Sequence, residues 1–276
     1  MGYGVVLYAS NAGTDLIIST AGVVWGFGID VANTGSGYTS ITATGTVNSN
    51  APYGFGIDAS NAGTNLVIST AAVSGETGIR ASNTGSGYTT ITAGAAVTGN
   101  SSYGINALNE GGGALTISTK AVSGARDGIQ ATNNGSGALR ITATGAVSGG
   151  TRTGVLAFNS GNGLYVRTTA SVEGGSYGIA AANVSGSGDT TVLSEDTVTG
   201  GSRAGIAAFG GAGTANLTVT ANGAVSGGSA GILAPHFGSG ATVVTAACAV
   251  KRPQRRGRNA SVPGWCVRAC LAAGVV

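Results

Sequence analysis

Apolar positions along this chain come in short alternating runs, and the runs recur in a fixed order. Each unit opens with Gly-Ile-x-Ala, as in residues 78–81. It continues with Leu-x-Ile-x-Thr, as in residues 115–119, and closes with Ala-Val followed by Ser-Gly, as in residues 121–124. Val, Ile and Thr dominate, and apolar and polar positions alternate with a period of two. That pattern predicts short strands, and no stretch shows the 3.6-residue period of a helix. Gly, Asn and Ser fill the gaps, where turns call for positive φ or side-chain-to-backbone bonds.

The first run extends to an asparagine, Gly-Ile/Val-x-Ala-x-Asn, and this motif returns about every 25 residues. Its last position falls at Asn11, Asn33, Asn61, Asn83, Asn109, Asn133, Asn159, Asn183, Gly210 and His236. The distances Asn11 to Asn61, Asn33 to Asn83 and Asn83 to Asn133 are each 50 residues. Near-identical text also returns at that distance. ASNAGT begins at Ala9 and again at Ala59, and NTGSGY begins at Asn33 and again at Asn83, so the duplicated unit reads as a pair of coils.

A period in this range marks stacked structural units. Three short strands per unit, with no long crossover, predict an all-β solenoid of about ten coils with three faces. Each strand would pair with its counterpart about 4.8 Å away in the next coil, giving a rod about 45–50 Å long. The repeated asparagines would form a column at one corner, each amide bonding the turn backbone and the next Asn.

Composition agrees. Of 276 residues, 52 are Gly, 8% are charged and 5% are aromatic. High glycine with regular apolar periodicity separates a repetitive β structure from disorder, which requires low hydrophobicity. Residues 1–245 hold seven Lys/Arg, ten Asp/Glu and no Cys. The repeat domain is therefore read as 1–245. Residues 246–276 read as a basic, Cys-containing tail, disordered or out of frame, with Cys248, Cys266, Cys270 and a run of Lys251, Arg252, Arg255, Arg256 and Arg258. The net positive charge comes from this tail, so the rod itself is not expected to bind nucleic acid. Met1-Gly2-Tyr3-Gly4 passes straight into repeat text without a secretory leader, so the chain reads as an internal piece of something longer. No apolar run reaches 18 residues.

Candidate chemistry is sparse. Two G-x-S-x-G strings, at 174–178 and 227–231, mimic a nucleophile elbow, but both fall at the same turn of the repeat, and one His serves the whole chain. With a single His and a C-x3-C spacing, no metal or cofactor is expected. Asp30 and Asp58 fall at the same outward position of successive coils. Paired carboxylates could act on glycosides, although Arg80 in the next coil would offset Asp58 and no aromatic cluster is expected to line a sugar subsite. Thr42, Thr92, Thr116, Thr119, Thr142 and Thr218 form an irregular threonine array, which β propensity explains better than ice binding.

Length variation concentrates in the turn between the third run and the next motif Gly. From the Val of Ala-Val to that Gly the gaps are 5, 9, 5, 7, 6, 7, 6, 7 and 6 residues. The turn also gathers charge and aromatics, among them Trp25, Tyr53, Tyr103 and Tyr177. Glu76, Arg126, Asp127, Arg152 and Arg203 are the candidate partner-contact edge, since in solenoids the variable edge is often the one that binds.

Residues 133–150, NNGSGALRITATGAVSGG, and the similar text across 1–245 resemble the passenger domains of bacterial autotransporters. The resemblance implies a right-handed parallel β-helix exported through a C-terminal outer-membrane barrel and displayed on the surface of a Gram-negative cell. It further implies a non-enzymatic adhesion role, with a host or neighbouring-cell protein or glycan as partner and membrane contact through the barrel alone. Filamentous-haemagglutinin-like secreted adhesins have similar coils.

Overall fold

In the computed structural model, residues 7–24, 26–247 and 250–251 are described. Trp25, Cys248, Cys266, Cys270 and residues 252–276 of the tail lie outside them. The described residues form strands and turns, with no helix.

Each coil contributes one strand to each of three ten-stranded parallel sheets. The central pair of coils shows the scheme. Strands Ile105–Asn109 and Ile129–Asn133 pair in the first sheet, Leu115–Thr119 and Leu139–Ala143 in the second, and Val122–Gly124 and Val147–Gly149 in the third. Every pairing joins like positions of neighbouring coils, with Ile105 opposite Ile129 and Asn109 opposite Asn133. The chain is thus a parallel β-helix of about ten coils. The second sheet runs through Thr242–Ala246, and a third-sheet strand at Val250–Lys251 pairs with Val225–Gly227.

Register follows from burial. Alternate residues of each strand enter a narrow core built as columns: Ile29, Ile57, Ile79, Ile105 and Ile129 from the first sheet, Ile41, Ile68, Ile91, Ile117 and Ile141 from the second, and Val47, Val73, Val97, Val122 and Val147 from the third. A one-residue slip would turn a whole column outward, so the alternation locks each coil onto its neighbour.

At the corner between the first and second strands the asparagines form a hydrogen-bonded column. From Asn11 to Asn183, each Nδ2 donates to Oδ1 of the next asparagine at 2.8–3.3 Å. The second amide hydrogen goes to a turn carbonyl, as from Asn109 to Gly113 and from Asn133 to Gly137. Apart from half-buried Asn11 at the first coil, these side chains are buried. Burial is tolerable because donor and acceptor are both satisfied.

The glycines have a different cause from the positive φ expected of turns. Among the described glycines only Gly22, Gly26, Gly28, Gly163 and Gly188 have φ in the left-handed region. The motif glycine is dictated by close stacking. A Cβ on Gly128 would stand 2.6 Å from the Gly154 carbonyl oxygen of the next coil and 2.7 Å from Val147 Cγ1. Gly104 meets Gly128 O and Val122 Cγ1, and Gly178 meets Gly205 O and Val198 Cγ1, at similar distances.

Candidate functional site

The turn leading into each motif Gly is held by its own ladder. The residue two places before that Gly bonds the same residue one coil earlier. Glu76 N donates to Gly54 O, Ser102 N to Glu76 O, Arg126 N to Ser102 O and Arg152 N to Arg126 O. Ser176 N then donates to Arg152 O, Arg203 N to Ser176 O and Ser229 N to Arg203 O, at 2.6–3.0 Å throughout. Turns of different length therefore deliver one straight row along the rod.

Arg126, Arg152 and Arg203 stand exposed on this row, and Glu76 is half-buried. The Arg126 guanidinium carbon lies 5.0 Å from the Tyr103 ring centroid. That of Arg203 lies 5.5 Å from the Tyr177 ring, and its Nη1 donates to Tyr177 Oη at 2.9 Å. Each arginine thus stacks on a tyrosine from the preceding coil. Arg152 has no such ring; its Nη1 sits 3.5 Å from Asp127 Oδ2.

Asp127 is a correction to the expected edge. Its side chain is fully buried, and Oδ1 accepts from the Thr153 backbone N–H at 2.9 Å. Small or short residues just before the motif Gly turn inward, as Thr77, Thr153 and Ala204 also do, whereas the rings of Phe55, Tyr103 and Tyr177 at the same position are only half-buried. Asp127 is a tie between two coils, and a buried side chain cannot meet a partner.

The longest turn, between Val47 and Gly56, carries Tyr53, which is 81% exposed. With φ at 63°, Tyr53 is the one non-glycine among the described residues in the left-handed region.

Asp30 and Asp58 are direct neighbours in the first sheet, and Arg80 follows in the next coil. Arg80 clasps Asp58 with both arms, Nε to Oδ1 at 2.7 Å and Nη2 to Oδ2 at 2.5 Å. Its guanidinium also lies over the Phe55 ring at 4.5 Å, a single aromatic contact that the sequence did not suggest. Phe55 and Arg80 are too far apart in sequence for spacing alone to show the contact. The Asp30 carboxyl titrates above its ordinary value because of burial first and the Asp58 charge second, with Arg80 opposing.

The other motifs stay within the scaffold. Ser176 and Ser229, the serines of the two G-x-S-x-G strings, are members of the turn row. Thr42, Thr92 and Thr142 share one outward row of the second sheet, with Ser69 and Ser118 between them. Thr116 and Thr218 lie on the other outward row, and Thr119 faces the core. No group of three or more His, Cys, Asp or Glu that could hold a metal occurs among the described residues.

The fold and this row define a parallel β-helix with one decorated edge. Compared with models of protein families, with curated proteins and with solved structures, the chain shows no match.

Proposed function

We propose that this chain is a non-enzymatic rod from a secreted or surface-displayed passenger protein, in which the coils act as a spacer and the turn row makes contact with a partner. The observation that carries this reading is placement. Three of the seven Lys and Arg residues in 1–245 fall on a single backbone-stacked row, and two of them rest on tyrosines. A scaffold needs no cations there, whereas Arg and Tyr are the residues that anchor interfaces. Display in many copies would turn individually weak contacts into firm attachment.

The test is adhesion of beads or cells displaying the whole chain. Arg126→Gln, Arg152→Gln and Arg203→Gln together are expected to abolish most attachment. Arg140→Gln and Arg167→Gln, on the second sheet, are expected to leave it intact. Undiminished attachment by the triple variant would remove the contact row.

A second reading is supported by Asp30 and Asp58. A carboxyl whose titration is raised by burial beside a carboxylate clasped by arginine is the kind of asymmetry that glycosidic cleavage uses. Release of reducing ends from polysaccharides, lost in both Asp30→Asn and Asp58→Asn, is its expected result.

A further inference from the structure

We infer that the turn row binds an acidic polysaccharide of low charge density, lying along the rod axis. The inference rests on the contact-row reading above and adds the chemistry of the partner.

Spacing comes first. Because adjacent members of the row are joined by backbone bonds, Arg126 and Arg152 are one strand spacing apart, about 4.8 Å. Arg152 and Arg203 are two spacings apart, about 9.6 Å, with Ser176 between them. The cations form a line parallel to the axis, which suits an extended polymer better than a compact ligand.

Orientation comes second. A guanidinium stacked face-on over a ring keeps its edge N–H donors free to grip a carboxylate or sulfate in parallel pairs. Tyr103 and Tyr177 hold the Arg126 and Arg203 guanidinium groups before any ligand arrives, which lowers the entropy lost on binding, and Arg203 spends only its Nη1 donor on Tyr177 Oη.

Charge density decides among polyanions. Ser102, Ser176 and Ser229 flank the arginines on the row and match the hydroxyls of a sugar chain, while Gly54 and the half-buried Glu76 hold its places before Ser102. Glu173 is exposed on the adjoining third-sheet strand, and buried Asp127 partly offsets Arg152. Across 1–245 acids outnumber bases. Duplex DNA, with a charge about every 1.7 Å, would meet three cations set in a net-negative surface. A polymer with one anion per disaccharide can place its charges at the arginines and its neutral hydroxyls at the serines.

The test uses the full chain with hyaluronan, carboxyl-reduced hyaluronan and duplex DNA at equal ionic strength. Hyaluronan is expected to bind and its carboxyl-reduced form to fail. The triple Arg→Gln variant should lose about tenfold or more in affinity. Both proteins keep the same basic residues after 250, so the difference between them reports the row. Tyr103→Leu with Tyr177→Leu should weaken binding less, and Arg140→Gln with Arg167→Gln not at all. Equal hyaluronan affinity in wild type and triple variant overturns the inference, as does tighter binding of DNA through the same three arginines. If the displayed triple variant loses adhesion but hyaluronan neither binds nor competes, the ligand chemistry is wrong and the contact row stands. If hyaluronan binds through the arginines while adhesion is unchanged by their loss, the chemistry stands and the adhesive reading falls.

Discussion

Asn159 Nδ2 donates to Asn183 Oδ1 at 3.1 Å, and the column ends there because the next coil has Gly210 at that position. Asn183 therefore takes part in one inter-asparagine bond, whereas Asn133 accepts from Asn109 at 2.8 Å and donates to Asn159 at 2.9 Å. Removing Asn133 orphans a buried donor on one side and a buried acceptor on the other. Asn133→Ala is expected to cost about 2–4 kcal/mol, and Asn183→Ala roughly half as much. Guanidinium unfolding of the two variants checks the ranking. An equal cost would show that the column acts bond by bond with the turn carbonyls and not as a chain.

The end of the column also leaves a mark on the second sheet. Thr39 and Thr89 donate their hydroxyls to Asn61 and Asn109 of the following coil, at 2.8 and 2.9 Å. Thr190 holds the equivalent place below Gly210, and its buried hydroxyl has no partner. Thr190→Val is therefore expected to be neutral or stabilising, while Thr89→Val should cost about 1–2 kcal/mol. Thermal unfolding of both variants tests this. A larger loss at Thr190 than at Thr89 would contradict the account.

Close stacking makes a contrast between glycines. Gly128→Ala places a methyl against the Gly154 carbonyl oxygen and Val147 and should cost about 2–3 kcal/mol. A Cβ at Gly94 meets only the Thr70 carbonyl oxygen, at an ordinary 3.5 Å. Gly94→Ala should be neutral or gain about 0.5 kcal/mol by restricting the unfolded chain. Denaturant midpoints compared with wild type decide the matter.

Asp30 sets a pH dependence. Its native carboxyl titrates above the ordinary value of 3.8, so the folded state favours the protonated form. Stability contributed at this site is therefore present at low pH. It is lost as the pH rises from about the ordinary carboxylate value through the raised native one. Asp30→Asn should be the more stable protein at neutral pH, with its advantage closing as the pH falls through the raised native value toward the ordinary 3.8. Arg80→Gln should act in the opposite direction at neutral pH, since it leaves two neighbouring carboxylates unopposed. Melting temperatures across pH 3–8 provide the check, and an Asp30→Asn advantage that grows on acidification would refute it.

Much of the architecture is legible in the sequence because every coil repeats the same physics. Alternation of Ile and Ala in the first strand marks the inward face, and the equal spacing of asparagines places them in one column. The contact edge is legible in part. Charge and length variation single out the turn, but only the backbone ladder shows that Arg126, Arg152 and Arg203 form a line. Asp127 shows the limit. Arg126 beside it is exposed and tyrosines at the equivalent place in other coils are half-buried, so nothing local reveals that the Asp127 side chain turns inward. The Arg80–Phe55 contact was equally hidden, because it joins residues from different coils.

The sequence by itself determined the number of coils, the three strands of each and the residues that face the core, because these depend on a short-range period and on burial. Only the tertiary structure decided which side chains meet across coils. The tyrosines under Arg126 and Arg203, the arginine on Asp58, the orphaned Thr190 hydroxyl and the backbone contacts that exclude a Cβ at Gly128 all depend on stacking distances of a few ångströms. Those distances are set by hydrogen bonding between coils more than twenty residues apart, and no local pattern encodes them.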